Sequence, residues 1–451
     1  MNVEARIRPG APIALDKESI DCSGNVLAAR VREAGSQPEQ FLEKLEWSVC
    51  DDLSVVDQIE RPSSMAAPFQ SHQWLRAWLQ TFGIDAQLRI VTGSLGSQPV
   101  LVLPLCIEKR GPFKRLCYIA QDVSDYNHPV MHHLLEGHAS AEFLAALYRK
   151  AGELTGEADI LYLRKLLKQP ARNSDRLIIQ SSRPEADATH WTQLSGEGWD
   201  TARDRFFGKS TRRTLARKEK KIAAGRPISF KLIRDKSERL EAMLLLADWK
   251  HKQLSELGMA NPFLDPAFRA FLTETVQDSS PERFRIYRFS AGDEAVALTF
   301  MICNGSNWFL YQTAYTDREA RRYSPGMILL REILREAHEE GAQIFDFGLG
   351  DEGYKQKYCD HHADLHRYQQ ALTPFGVLGM ACSDAKFQLR SHFKSQGRLR
   401  SAALKLLRAV SVVRSGFRLK KRAPQALLGL GAAVNSLDYD RLLHPSVLGL
   451  I

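Results

Sequence analysis

"EAVALTFMICNGSNWFLYQTAYTDREARRYSPGMILLREILREAHEEGAQIFDFG", residues 294–348, carries the densest run of structural signals in the chain. "EAVALTFMIC" and "NWFLYQTAY" are apolar, strand-forming runs joined by "NGS". The upstream "RFRIYRFS" joins the first of them through "AGD", and both junctions have the residues of hairpin turns. Three antiparallel strands are therefore expected. A helix follows from "YSPGMILLREILREAHEEG", with Ser324 placed to cap it, Pro325 at its first helical position and Gly341 as its stop. Met327, Leu330, Leu334 and Ala337 fall on one of its faces. "AQIFDFG" reads as the next strand. "GLGDEGYKQKY" then forms a glycine-rich loop at that strand's C-terminal end, where open α/β sheets place ligands.

The upstream sequence reads as a similar mixture. "PFQSHQWLRAWLQTFG" spaces Trp74, Trp78 and Phe82 four apart, one apolar helical stripe of the kind that builds a core. "AQLRIVTG" and "PVLVLPLCIEK" read as a hairpin, followed by the strand "KRLCYIA", the polar elbow "QDVSDYNHPV", the helix "AEFLAALYRKAGE" and the strand "ADILYLRKL". "TARDRFFGKSTRRTLARKEKKIAAGRP" reads as one basic helix ending near Gly225 and Pro227. It is either a solvated linker or a surface facing an anionic substrate or a cofactor phosphate. Two further helices, "ERLEAMLLLADWKHKQLSELG" and "DPAFRAFLTETVQ", lead into the three strands. The fold class is α/β (α+β) with mixed, mainly antiparallel sheets.

A chain of 451 residues exceeds what one core usually serves, so about two domains are expected. With 44% hydrophobic and 25% charged residues, the composition is that of a globular protein, neither disordered nor fibrous. The start of the chain has no apolar run of the secretory type, and no stretch reaches the roughly 20 apolar residues of a spanning helix, so a cytoplasmic protein is expected. Seven scattered cysteines suggest buried free thiols. The net charge of +9 is uneven: residues 386–422 hold twelve Lys or Arg and no acid, leaving −3 for the rest. The high pI thus belongs to a tail.

Six stretches carry a family resemblance: "FQSHQWLRAWLQTFG", "VLVLPL", "DVSDYNHPVM", "FFGKSTRRTLARKEKKI", "EAVALTFMICNGSNWFLYQTAYTDREARRYSPGMILL" and "GAQIFDFGLGDEGYKQKY". In this order they resemble the BioF2-like, CelD/BcsL-type acetyltransferases of the acyl-CoA N-acyltransferase (GNAT) group, named for their association with cellulose and other polysaccharide biosynthesis. The resemblance spans about residues 65–372. It implies tandem GNAT-like domains, similar to the Fem-type peptidyltransferases. The expected division is an N-terminal arm (1–40), a first GNAT-like domain (41–195), a GNAT acetyltransferase domain (196–380) and a basic tail (381–451).

Acyl transfer to an amine needs a phosphate cradle, an oxyanion donor, a route for the amine's proton and an acid for the leaving thiolate. The cradle of such a fold is a helix N-terminus. Here Arg321 and Arg322 are placed to pair with phosphate, Ser324 to donate a hydroxyl, and Gly326 to permit close approach, with Met327 in the same turn. Acetyl-CoA, or another acyl-CoA, is the implied donor. A well-capped core helix with a basic rim has the same appearance.

In the glycine-rich loop Lys355 would offer positive charge to an oxyanion or an acidic substrate group. Tyr354 would protonate the thiolate, and Asp351 or Glu352 would orient or deprotonate the amine beside Gly350. If 351–358 is helical, Asp351 and Lys355 sit four apart and can simply pair. The elbow adds Asp125, Tyr126 and His128, with Asp125 a second candidate base and Tyr126 a substrate contact; an Asx turn is the plainer account of the same residues.

Cys359, His361, His362, Asp364 and His366 lack the paired spacing of a closed zinc site, so no metal is expected and these residues should lie before the strand "LHRYQQALTP". In the tail, Leu399, Ala403, Leu406, Val410, Val413 and Phe417 form one apolar helical face with Lys405 and Arg408 opposite. Such a helix suits an anionic membrane, a polysaccharide synthase or the protein's own surface; nucleic acid lacks a recognised reader motif. The sequence favours an acyl-CoA-dependent N-acyltransferase acting on an amino sugar or related glycan acceptor. A catalytically silent scaffold and an aminoacyl-tRNA-dependent transferase are the alternatives.

Overall fold

Glycine sets the first hairpins. β1 (Glu46–Cys50), β2 (Gln87–Leu95), β3 (Gln98–Arg110) and β4 (Phe113–Tyr118) form an antiparallel run, and the turns at Gly96 and Gly111 both need φ near 63°. The computed structural model describes residues 27–31, 38–59, 68–138, 140–167, 182–194, 196–316, 318–350, 355–382 and 385. Most of the expected N-terminal arm, and the basic tail from residue 386 onward, lie outside the described residues. Helix α1 (His72–Thr81) precedes β2; Trp74 and Trp78 are buried along it, as their spacing requires. After β4 come the short β5 (Val130–Met131), helix α2 (Ala141–Thr155), capped by Ser140 Oγ, then β6 (Ile160–Leu167) and β7 (Arg183–Gln193).

The second half repeats this plan. Helices α3 (Trp199–Phe206) and α4 (Lys209–Ala223) are followed by β8 (Ile228–Ile233), α5 (Lys236–Leu257) and α6 (Pro266–Gln277). The expected meander is β9 (Phe284–Ala291), β10 (Glu294–Asn304) and β11 (Asn307–Tyr315), and then come α7 (Pro325–Glu339), β12 (Ile344–Leu349) and β13 (His361–Ala371). In each half one crossover helix joins a parallel pair: α2 joins β4 to β6, and α7 joins β11 to β12.

The thirteen strands described form one mixed sheet in the order β1-β2-β3-β4-β6-β13-β7-β12-β11-β10-β9-β8, with β5 on β3. The order shows an exchange. β7, from the first half, pairs with β12 of the second, while β13, the last strand described, pairs with β6 of the first. The two exchanged strands also pair with each other. One face of the sheet carries a core common to both halves, in which Trp74 meets Phe271 at 4.7 Å and Tyr311 at 5.2 Å. On the opposite face, α2 covers the first half and α3, α4 and α7 the second. Among the described residues no helix is long and apolar enough to cross a membrane.

Four expectations change. The basic segment is two helices, broken at Phe207 and Gly208, because Phe206 and Phe207 turn into the core. β1, β7 and β8 are strands that the sequence does not announce: "RPEADATHWTQ" is too polar to read as buried, yet it lies between β13 and β12. His361, His362 and His366 belong to β13 itself, and His366 is buried beside Ser182 Oγ at 3.1 Å. Ser324 stands at the N-terminus of α7 but makes no side-chain cap, since its φ of 51° turns its hydroxyl toward Lys218 Nζ, 2.7 Å away.

The chain leaves β13 through a helical turn over 374–382 that packs directly on the start of β6. A Cβ at Gly376 would collide with the carbonyl of Asp159, and that backbone is fixed because Asp159 O also accepts from Leu372 N–H at 2.9 Å. Gly376→Ala is therefore expected to cost about 1–3 kcal/mol of stability, read as a lower denaturation midpoint in urea. An unchanged midpoint would mean that this turn can lift off the sheet.

Candidate active site

The parallel pair β11/β12 lasts for three residues, Asn307↔Ile344, Trp308↔Phe345 and Phe309↔Asp346. Past Phe309 the strands part. β11 carries an extra residue, Tyr311, between the pairs Phe300↔Gln312 and Met301↔Leu310, and a bulge of this kind bends its strand. β12 stays with β7 instead, through Leu349↔Thr189 and a bond from Gly350 N–H to Ala188 O at 3.2 Å. The outcome is a wedge with an open strand edge. Thr316 N–H turns back to Val296 O, so the backbone groups of Thr313 and Tyr315 face the other way, into the wedge. From α5, Lys250 Nζ and Gln253 Nε2 donate to the carbonyls of Thr313 and Tyr315 at 3.1 and 2.8 Å.

Asp346, which no sequence motif singles out, occupies the apex and is only 5% exposed. Tyr126 Oη lies 2.8 Å from both its carboxylate oxygens, Gly348 N–H donates to Oδ1 at 2.7 Å, and Thr189 Oγ1 donates to Oδ1 at 3.2 Å. The hydroxyls of Tyr126 and Thr189 are also in contact. Burial pushes the Asp346 carboxyl up to about 7; the charge of Asp125 adds to the rise, and the three donors oppose it. Burial, then the charges of Asp346 and Asp125, hold the Tyr126 hydroxyl protonated well above its usual range. An acid between two phenylalanines in "IFDFG" was the available signal, since a strand buried on both faces has no cheap place for a carboxylate.

Asp125 stands at the wedge with Asp346. Its Oδ2 accepts from Leu349 N–H at 3.4 Å, and a Cβ on Gly348 would come within 3.1 Å of that oxygen and 2.8 Å of Leu310 O. Gly348 therefore answers to two constraints, its φ of 72° and the close approach of both halves. The elbow thus brings Asp125 and Tyr126 onto β12, 220 residues away from Tyr126 in the chain.

Lys355 is 2% exposed, and its Nζ donates to Gly348 O at 3.3 Å and Leu349 O at 2.6 Å, which fixes the end of β12. Gly350 is buried with φ 112° and is bound to β7. Asp351, Glu352 and Tyr354, with the expected Asp351–Lys355 pairing, lie outside the described residues. His128 is buried and kept neutral, its pKa pulled down to about 4 by burial, and its Nδ1 lies 2.8 Å from Pro129 O.

At the start of α7, Arg321 and Arg322 are exposed, and the Arg322 guanidinium lies 5.9 Å from the Tyr323 ring. Gly326 is close-packed, since a Cβ there would be 3.2 Å from Thr313 Cγ2. Met327 packs its side chain on the core and bonds its N–H to Ser324 O at 3.0 Å. Helix α4 lies alongside, tied to α7 by Arg331–Glu219 at 2.8 Å and by Lys218–Ser324, and it leaves Arg213, Arg217, Lys220 and Lys221 at its surface. Among the described residues the cluster with metal-ligand side chains is Cys106, Glu108 and Cys117, on β3 and β4 away from the wedge, with Glu108 held by Arg110 at 2.7 Å.

The arrangement is a split parallel pair with an open edge, a basic helix start on one side and two carboxylates at the apex. Residues 209–356 match the family model of the acetyltransferase (GNAT) domain. That region contains β11, α7, β12 and Asp346, while Asp125 and Tyr126 reach the apex from outside it. No curated protein matches the chain. Among solved structures the chain is similar to FemX, with 10% identity over 72% of this chain and 97% of that one, and a TM-score of 0.49. It is also similar to L-PGS from Bacillus licheniformis (12%, 65% and 90%, 0.41) and to a tandem GNAT protein from the clavulanic acid biosynthesis pathway (14%, 73% and 99%, 0.40).

The Asp346 carboxyl predicts how stability varies with pH. Its folded pKa, about 7, lies above its ordinary 3.8, so folding favours the protonated form. The contribution is complete below the ordinary value and is lost as pH rises through the folded one, at about 1.4 kcal/mol for each pH unit between the two. Wild-type stability measured against Asp346→Asn should therefore fall between about pH 4 and pH 7 and level off above. Parallel stability curves for the two proteins across that range would show that the carboxyl is ionised throughout.

Proposed function

We propose that the chain is an acyl-CoA-dependent N-acyltransferase whose single reaction centre is the wedge between β11 and β12. The observation that carries this reading is that Asp125, from the first half, meets Asp346 at the apex of a strand edge that belongs to the region matching the GNAT domain. When bound, acyl-CoA supplies an activated thioester. The residues present suit such a donor. The start of α7 offers Gly326 and the helix dipole, Arg321, Arg322 and Lys218 supply positive charge for phosphates, and the edge of β11, whose Thr313 and Tyr315 carbonyls are held by Lys250 and Gln253, turns the N–H groups of the same residues toward an amide-bearing arm.

On this reading Asp125 accepts the proton of the attacking amine. The half-exposed carboxylate sits at the wedge, where proton transfer to a positioned base is worth roughly 10²–10⁴ in rate. Tyr126 and Asp346 stand behind it as a buried hydrogen-bonded pair that fixes the elbow. Lys355 holds the end of β12, and with it the Leu349 N–H that faces Asp125. The first half (41–195) supplies the elbow and the acceptor side, and the second (196–380) supplies the donor side. The resemblance to the BioF2-like, CelD/BcsL-type enzymes supports an amino sugar or related amine of cell-surface polysaccharide as the acceptor.

Acetyl-CoA should raise the melting temperature of the protein. Asp125→Asn should keep that shift while lowering turnover of an amino-sugar acceptor by roughly 10²–10⁴. The absence of a shift with any acyl-CoA would point to a silent scaffold, and stabilisation by aminoacyl-tRNA alone to an aminoacyl transferase.

A further inference from the structure

The first half contains a second wedge of the same kind. β4 and β6 pair in parallel at Arg115↔Ile160 and Leu116↔Leu161, and then β4 ends while β6 continues to Leu167. This wedge is filled by residues 119–127, the segment that ends in the elbow. The segment belongs to no named strand or helix; Ala120 O accepts from the N–H groups of Val123 and Ser124, and four further carbonyls take side-chain donors. Tyr311 Oη donates to Val123 O at 2.9 Å and Gln70 Nε2 to Tyr126 O at 3.2 Å. Lys165 takes two at once: its Nζ donates to Asp122 O at 3.1 Å and Ser124 O at 2.6 Å.

Lys165 is unusual for a strand residue. It is 1% exposed, and its φ of 53° is left-handed, a conformation that ordinary L-residues rarely adopt. Opposite it, the β6–β13 register shifts between His366↔Leu166 and Tyr368↔Leu163, so Arg164 and Lys165 together form a bulge. The bulge holds the loop by its backbone as well. Lys165 O accepts from Asn127 N–H and Arg164 O from Asn127 Nδ2, each at 3.0 Å, while Arg164 N–H donates to Gln121 Oε1 at 3.3 Å. A strained backbone persists only where its surroundings impose it. Here what it secures is the aim of the ammonium into the loop. The charged groups facing that ammonium are Arg164, Asp125, Asp122 and Glu185.

We infer that Lys165 is a positioning residue: it locks residues 119–127 into the β4/β6 wedge, closing that wedge to any donor, and so delivers Asp125 and Tyr126 to Asp346. The functional half of this inference rests on the proposed acyl transfer; the structural half does not. The chain then has one donor site, although it has two wedges.

The test compares wild type with Lys165→Met, which removes the ammonium, and Lys165→Gln, whose amide can serve one of the two carbonyls. Native-state hydrogen exchange should be faster in 119–127 and in 346–349 by about tenfold or more in Lys165→Met, by less in Lys165→Gln, and unchanged in β2 and β9. Exchange in 119–127 as slow as in wild type, or acceleration spread evenly over the chain, overturns the inference. Titration of wild type with acetyl-CoA should saturate at one equivalent, and a second equivalent that disappears when the β4/β6 wedge is blocked overturns it as well. If acetyl-CoA does not bind at all, the acyltransferase reading fails while hydrogen exchange still decides the role of Lys165. With activity present, Lys165→Met should lower kcat more than it raises KM for the donor and should move the pH profile of kcat, a displacement that a purely structural loss would not cause.

Discussion

The bond between Tyr126 and Asp346 joins two segments, neither of which could keep its shape alone. The elbow is a loop held largely by side chains from other elements, and the apex of β12 is a buried carboxylate at the last residue that β12 pairs with β11. Each supplies what the other needs, a hydroxyl for the acid and an anchor for the loop. Removing one partner of such a buried pair leaves the other unsatisfied, which costs more than the bond contributes in net terms. The exchange of β7 and β13 makes the meeting possible, because it sets the register of the two halves along three consecutive strand pairings.

The two halves use one plan for different ends. Both have a meander, a crossover helix and a parallel pair that parts. In the first half the wedge is closed by the loop after β4, which continues across the sheet to the other half. In the second, the chain after β11 turns away into Arg318–Arg321 and the basic rim of α7, and the wedge stays open. The difference lies in the segments that leave β4 and β11: "QDVSDYN" has side-chain partners waiting for its carbonyls, whereas "TDREARRYS" carries charges suited to water or phosphate.

Local pattern made the meander, α1, α5, α6 and α7 legible in the sequence, because apolar period and turn residues act over a few positions. β7 was hidden, since its burial comes from β12 and β13 on either side and its own residues are largely polar. "ADILYLRKL" reads as a strand, but nothing in it singles out Lys165, whose inward aim comes from the bulge against β13. The family resemblance brought Asp125, Tyr126 and the end of β12 into view as separate motifs. Asp346 stayed out of view because its meaning lies in a residue 220 positions away. The acid in "IFDFG" is a charge inside a buried strand, and a charge so placed requires a partner of this kind from elsewhere in the chain.

Lys165 and Asp346, the buried charges of the two wedges, are both held by uncharged groups. Lys165 Nζ goes to two backbone carbonyls and not to the carboxylates nearby, while Asp346 is held by hydroxyls and one amide. A direct ion pair would draw the acid far below the neutral range, as a cation in contact with a carboxylate does. Hydroxyl donors oppose burial only in part and leave the Asp346 carboxyl near 7. The charge of Asp125 adds to that rise, so each of the two carboxylates bears on the protonation of the other. A basic residue in place of Tyr126 or Thr189 would hold Asp346 ionised, whereas the hydroxyls present leave it able to take up a proton near neutrality.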